Sequence, residues 1–372
     1  MPGVILTEEG MREGLQIEDA AIPVADKVRL LDALSATGLR KIVVGSFVSP
    51  RWTPQMAGID ELVTSFAPQP EVTYTALALN ARGVERRAGH VPPLSTRDVL
   101  WATNVHVCDV FAQRNTNRTR EAEVAAWGDT VAAAVEASAQ EAQVGLGAAY
   151  GSNWVGPFSR DDRMVLLATQ VELWDASGIV ATRVSLADPM GWNTPSEVAG
   201  DLEEIRRRWP AITRFHLHLH NTRGCAPVSL YEALRVLGPE CVVEADCSIG
   251  GMAGCPYCGN GRAATLTPTE DFVYLLESLG YDTGIGLDAL IEAVVLAEEV
   301  VGHRLHGHVS KAGPAPQTAD RLYPMDLPFV ETLDQAQHWR LGAEVTEGAL
   351  SPWSTAIRSQ MREDVESALP GS

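Results

Sequence analysis

Short apolar runs alternate along this chain with longer stretches whose apolar residues return every third or fourth position. The first pattern suits a buried strand, the second an amphipathic helix. Val4–Leu6 opens the series as a strand and runs into the polar loop Glu8–Gln16. Val24–Thr37 carries Val28, Leu31 and Leu34 on one helical face and stops at Gly38. Lys41–Val44, Val72–Leu77 and Val99–Val107 read as strands two to four. Val144–Ala149, Val180–Leu186, Thr213–His220 and Cys241–Ala245 read as strands five to eight. Helices fit between them at Asp60–Phe66, Asn80–Arg87, Glu121–Gln140, Arg160–Ser177, Pro195–Arg208 and Pro227–Leu237. Eight strands, each followed by a helix-like stretch, predict an α/β fold, a (β/α)8 TIM barrel. A doubly wound sheet lacks support, because no G-x-G-x-x-G follows an early strand.

Beyond the eighth strand, Thr269–Leu279 and Leu287–Val301 look helical. The texture changes at Gly313: Pro314, Pro316, Pro324 and Pro328 fall close together, with Trp339 and Trp353 further on. The expected organisation is a catalytic barrel over residues 1–312 and a C-terminal extension over 313–372. Such an extension would cover the barrel mouth, pack on a second subunit or be loosely attached. No repeat of fixed period and no low-complexity tract is present.

Composition narrows the function. The chain is 45% hydrophobic and 21% charged, ordinary for a soluble protein with a large core. Its formal charge of −19 argues against nucleic acid as a partner. There is no run of 18 apolar residues and no basic-then-apolar start, so a cytoplasmic protein without a membrane partner is expected. Six scattered cysteines suggest reduced thiols. A small-molecule substrate and a homo-oligomer, in the simplest case a dimer, are the expected partners.

In a barrel the chemistry sits at the C-terminal ends of the strands. Arg12-Glu13, Ser46, Asn80, Asn153, Asp188, His218 with His220, and Asp246 all fall there. The densest signal is Phe215-His216-Leu217-His218-Leu219-His220-Asn221-Thr222-Arg223-Gly224. Alternate residues of a strand share a face, so the three histidines stand together. Imidazoles at that spacing hold one cation, or else are barrel-interior rings satisfied by polar partners; the run of three favours the cation. Arg12 beside Glu13 suits metal-assisted chemistry on a carbonyl, the carboxylate binding the ion and the guanidinium an oxyanion. Alone, that pair reads better as a loop salt bridge. Cys255-Pro256-Tyr257-Cys258 is C-x-x-C, but no second pair follows to make a zinc knuckle. A reversible disulfide between the two is the alternative. The later cluster His303-Arg304-Leu305-His306-Gly307-His308 follows a helix and reads as capping or solvent-exposed histidine.

Four of these segments, in order, resemble 3-hydroxy-3-methylglutaryl-CoA lyase and the metal-dependent (DRE-TIM) lyase and synthase superfamily around it. They are Arg12-Glu13-Gly14-Leu15-Gln16, Ser46-Phe47-Val48-Ser49-Pro50-Arg51-Trp52-Thr53-Pro54-Gln55-Met56, His218-Leu219-His220-Asn221-Thr222 and Ala253-Gly254-Cys255-Pro256-Tyr257. The resemblance covers roughly residues 4–312. It implies retro-Claisen cleavage of a 3-hydroxyacyl-CoA through a thioester enolate. It implies a divalent metal, Mg2+ or Mn2+ with Zn2+ or Co2+ as alternatives, on Glu13, His218 and His220. Arg12 would then stabilise the developing charge and Cys255, on a loop, protonate the carbanion. Gln16, Ser46, Asn80, Asn153 and Thr222 stand as substrate contacts.

The chain departs from the family pattern within the site. Glu13 replaces a metal-binding Asp, and Val43 replaces a catalytic Glu on the second strand. The family's fourth ligand, an Asn, falls on Ala264, with Asn260 the nearest replacement. Gly-Asp-Thr becomes Ala187-Asp188-Pro189, which keeps Asp188 as a candidate for proton transfer. Altered substrate choice is the expected consequence. The alternatives are a condensing enzyme of the same superfamily, a metal hydrolase, disfavoured because its H-x-H belongs on the first strand, and a non-catalytic binding protein.

Overall fold

The computed structural model describes residues 1–78, 81–95 and 100–370. Eight strand positions form one curved sheet: β1 (Gly3–Glu8), β2 (Lys41–Ser46), β3 (Thr73–Leu77), β4 (Trp101–Ala102 and Val105–His106), β5 (Glu141–Gly147), β6 (Val180–Asp188), β7 (Arg214–Leu219) and β8 (Val242–Ser248). Their order is β3-β2-β1-β8-β7-β6-β5-β4, and every pairing in the sheet is parallel. Strands that run parallel need a crossover between them, and helices such as Val24–Ser35, Arg160–Ala176, Pro195–Arg208 and Ala226–Val236 supply it. This is the TIM-barrel arrangement the apolar pattern predicts.

Alternation along β7 shows how the sequence builds the barrel wall. Phe215, Leu217 and Leu219 are buried and pack outward under the helices, while His216 and His218 turn to the interior. At the lower end, Glu244 of β8 sits between Arg183 of β6 and Arg214 of β7. One carboxylate between two guanidiniums satisfies charge where the interior is narrow.

Two predicted elements come out differently. The fourth strand is interrupted at Thr103-Asn104, because side chains from neighbouring helices take the polar groups there. Thr103 Oγ1 donates to Gln170 at 2.9 Å and accepts from Trp174 Nε1 at 3.0 Å, and the Asn104 carbonyl accepts from Trp127 Nε1 at 2.9 Å. The Ala-rich stretch Glu121–Gln140 is two helices, Arg120–Ala125 and Trp127–Glu136, rather than one. The backbone tightens at Ala126 (φ −75°, ψ −11°), and Trp127 reaches that Asn104 carbonyl. A further helix, Asp109–Thr116, precedes them; Asn117 ends it in the left-handed region, and Thr119 caps the next.

After residue 312 the described chain consists of short turns of helix, ending in Gln360–Ala368. Arg321 and Arg340 tie this extension to Asp288 and Glu292 on the helix Leu287–Val301. Among the described residues, no helix is long and apolar enough to cross a membrane.

Candidate active site

The segment after β1 is a single π-helical turn, Gly10–Gly14. The buried Glu8 carboxylate fixes it, taking the Gly10 N–H at 2.7 Å and the Ile249 N–H at 2.9 Å. The turn needs bare backbone at both ends. A Cβ on Gly10 would lie 2.7 Å from Glu8, and one on Gly14 2.8 Å from Met252. It presents Arg12 and Glu13 to the barrel mouth. Arg12 Nε donates to Glu9 at 2.7 Å, and its Nη1 bonds to Glu13. Burial disfavours the Arg12 charge, but the Glu13 and Glu9 carboxylates more than reverse this, so the group stays a guanidinium.

Asp246, at the mouth end of β8, organises the histidines on β7. Its Oδ2 takes His216 Nε2 at 2.9 Å and His218 Nδ1 at 2.8 Å. Burial pushes this carboxyl up, yet the two histidines hold it well below the usual range, ionised. With Nδ1 of His218 donating to a carboxylate, Nε2 carries the lone pair in the neutral ring; burial disfavours the His218 charge, but Asp246 and Glu13 outweigh it and raise its pKa. That Nε2 lies 3.2 Å from His220 Nε2, which in turn is 3.6 Å from Glu13 Oε1. Burial first, then His218 and Arg12, keep His220 well below its ordinary pKa and therefore neutral.

Glu13, His218 and His220 therefore offer three ligand atoms within 4.8 Å of one another. Two imidazole nitrogens, that of His218 once its proton is displaced, and a carboxylate oxygen fit a divalent cation, with positions left for substrate. Asp246 behind His218 is the carboxylate–histidine support that metal sites use to fix a ring.

A cavity of about 200 Å3 opens beside this cluster. Arg12, Glu13, Gln16, Ser46, His218 and Cys255 line it, so all four motifs converge on one space. Val48, Leu77 and Phe111 add apolar wall. Cys255 is a buried free thiol on the loop after β8. The loop is gripped through its backbone: Gln16 Nε2 donates to Gly254 O at 2.8 Å, Asn153 Nδ2 to Cys258 O at 2.9 Å and Arg114 Nε to Tyr257 O at 2.8 Å. The Cys258 thiol is pushed up by its hydrogen bond with Cys255 and by burial, and bonds Pro189 O at 3.1 Å.

The remaining candidates sit elsewhere. Asn153 and Asn260 bond each other at 3.3 Å; neither lines the cavity. Thr222 packs beneath Gly191, whose Cβ would come within 2.5 Å of it. Asp188 is fully buried outside the cavity lining, and its Oδ2 accepts from the Asn193 backbone at 2.5 Å and side chain at 2.8 Å. Val43 is buried and also absent from the lining. Asn80 lies outside the described residues. Of the later histidines, His303 bonds Glu18 at 3.0 Å and His308 bonds Asp271 at 3.0 Å. Two lining residues with polar side chains, His106 and Asn115, lie outside the motifs; the only hint of His106 in the sequence is its place near the end of a predicted strand.

Fold and site together are those of an acyl-CoA lyase on a TIM barrel. The chain belongs to the HMGL-like family, whose pattern it matches over residues 3–296. It is 34% identical to the hydroxymethylglutaryl-CoA lyase of Pseudomonas mevalonii, over 81% of this chain and 94% of that one. It is 33% identical to the 3-hydroxy-3-isohexenylglutaryl-CoA/hydroxymethylglutaryl-CoA lyase of Pseudomonas aeruginosa, over 83% and 96% of the two chains. Among solved structures, an HMG-CoA lyase from Acinetobacter baumannii in complex with coenzyme A and 3-methylmalate superimposes with a TM-score of 0.69 at 26% identity, covering 87% of this chain and 98% of that one.

Proposed function

We propose that this protein is a divalent-metal-dependent lyase that cleaves a 3-hydroxyacyl-CoA whose 3-substituent is larger or less polar than a methyl group. One observation carries the reading: Arg12, Glu13, His218 and Cys255, from three segments of the chain, line the same cavity.

Glu13, His218 and His220 are the residues to hold the cation, Mg2+ or Mn2+, which supplies positive charge beside the substrate's oxygen atoms. Arg12, held as a guanidinium by Glu9 and Glu13, faces the negative charge that grows on the thioester oxygen as the carbon–carbon bond breaks. Cys255 gives its proton to the carbon left behind. Gln16 fixes Gly254 and so the approach of the thiol. Ser46 is placed to contact substrate directly. Asn153 and Asn260 act on the loop rather than on substrate. Thr222 serves the same site by packing under the β6–β7 connections, and Asp188 braces Asn193.

Substrate choice follows from what the wall lacks. β2 brings Ser46 and no carboxylate to the cavity, and Val48, Leu77 and Phe111 offer apolar surface. Burial of an alkyl chain there favours binding by about 25 cal/mol per Å2. A relative named for an isohexenyl-substituted substrate as well as the methyl one supports room for the longer chain. The test compares kcat/KM for 3-hydroxy-3-methylglutaryl-CoA with that for analogues of longer 3-alkyl chain, Mg2+ or Mn2+ supplied. The longer chains are expected to be preferred, with turnover lost and metal retained in Cys255→Ala. Equal or better turnover of the methyl substrate sinks the altered-substrate reading.

A further inference from the structure

The lyase reaction needs an acceptor for the hydroxyl proton, and the family's carboxylate position on β2 is Val43. Asp188 is engaged by Asn193 outside the cavity. We infer that His106, oriented by Glu123, is the general base of the reaction; the inference rests on the lyase reading above.

His106 ends β4 at the mouth side of the barrel and lines the cavity that Arg12, Glu13, His218 and Cys255 line. Glu123 clamps it twice. One carboxylate oxygen takes the ring Nδ1 at 2.8 Å, and the other takes the His106 backbone N–H at 3.0 Å. Thr116 Oγ1 adds a bond to the first oxygen at 3.0 Å. Burial pushes the Glu123 carboxyl up, but the bonds from His106 and Thr116 outweigh it and keep it ionised. An ionised carboxylate only accepts, so Nδ1 carries a proton, and in the neutral ring Nε2 is left with the lone pair. A carboxylate behind a histidine base is the arrangement that fixes a catalytic tautomer.

The space around the ring is built for it. A Cβ on Gly147 would lie 2.4 Å from the ring Cδ2 and 2.9 Å from Nε2, so a bare glycine on β5 is what admits the imidazole. Phe111 packs edge-on against it at 5.3 Å. Asn115, itself a lining residue, sits 3.3 Å from Nε2 and holds the lone pair until a substrate hydroxyl replaces it. A histidine that was only structural would need neither cavity contact nor a glycine cut away beneath it.

The step balances as follows in bonds and protons. Nε2 takes the proton of the 3-hydroxyl. The O–H pair becomes the second bond of a new carbonyl, the C2–C3 bond breaks, and its pair passes to C2 as the thioester enolate. The Cys255 S–H protonates C2, and the imidazolium's extra proton returns to the thiolate through solvent.

The experiment uses the full chain with Mg2+ and the best 3-hydroxyacyl-CoA of the series above. His106→Gln is expected to lower kcat at least a hundredfold, within the range for a lost general base, with KM and bound-metal stoichiometry little changed. Glu123→Gln is expected to lower kcat about tenfold, since the ring stays but its tautomer is no longer imposed. On wild-type protein with 15N-labelled histidine, the His106 signals, assigned by their loss in His106→Gln, should show a protonated Nδ1 and a bare Nε2. Wild-type turnover with His106→Gln within threefold of it overturns the base assignment alone, as does an Nε2–H tautomer. Wild-type protein that binds metal and cleaves no 3-hydroxyacyl-CoA overturns the lyase reading and the base assignment with it.

Discussion

Asp246 accepts the Nδ1 proton of His218 at 2.8 Å, and this bond decides which nitrogen of His218 faces the cavity. The opposite tautomer would aim an N–H at His220 and Glu13. Asp246→Asn removes the charge and half of the imposed tautomer preference. Mn2+ affinity by titration calorimetry is expected to fall ten- to a hundredfold, the usual cost of losing such a support. An unchanged affinity would show that His218 keeps its tautomer without the carboxylate.

The three histidines of β7 should separate cleanly. His218→Ala and His220→Ala remove cluster atoms, so both proteins are expected to fold, by circular dichroism, and to bind no metal. His216 already spends both ring nitrogens, on Asp246 at 2.9 Å and Ser185 at 2.8 Å. His216→Ala should therefore retain the metal. Full metal stoichiometry in either of the first two variants contradicts the ligand assignment.

Arg163 shows no exposed surface and bonds Asp201 at 2.9 Å, Glu197 at 2.6 Å and the Phe158 carbonyl at 3.0 Å. It joins the helix Arg160–Ala176 to the helix Pro195–Arg208. Arg163→Met leaves the buried Asp201 to Arg160 alone, which bonds it at 2.9 Å, and about 2 kcal/mol of stability is expected to be lost in urea denaturation. Adding Asp201→Leu should recover much of it. A double variant no more stable than the single one would mean that packing, not charge, is at stake.

Glu8 and Glu270 are buried together near the end of β1, and burial raises their carboxyls to about 7 and about 8 from 4.5. Between pH 4.5 and these values the folded chain holds protons that the unfolded chain has released. Their contribution to stability therefore declines as pH rises through that window and is flat above it, at about 1.4 kcal/mol for each pKa unit. Glu270→Gln takes one group out of the titration. Its Tm relative to wild type should climb from pH 5.5 to pH 8.5; parallel curves would refute the assignment.

The barrel was legible because its signals are local. A strand such as Phe215–Leu219 alternates, a helix such as Pro195–Arg208 opens on proline, and each can be read without its neighbours. The cluster of Glu13, His218 and His220 was legible for a similar reason, since the two histidines lie two residues apart and Glu13 falls in a recognisable segment. The break at Ala126 was not, because alanine favours helix and the cause is Trp127 reaching Asn104 on another element. His106 was missed on the same ground. Its partner Glu123 is distant in sequence, and the glycine that makes room for it is on a different strand. Asn260 and Asn153 look like ligand and substrate contact from their residue types, and only the folded loop shows that each serves the other.

The three side chains that hold the cysteine loop, Gln16, Asn153 and Arg114, all take carbonyl oxygens of its backbone. Carbonyls are the same whatever residue bears them. Cys258, whose sulfur bonds Pro189, and Asn260, whose side chain bonds Asn153, add side-chain anchors, while Pro256 and Tyr257 are held through backbone. Pro256 and Tyr257 can be exchanged while the thiol of Cys255 stays where it is. The loop is a socket with fixed mountings and replaceable contents, and a change of substrate can begin there without dismantling the chemistry beneath.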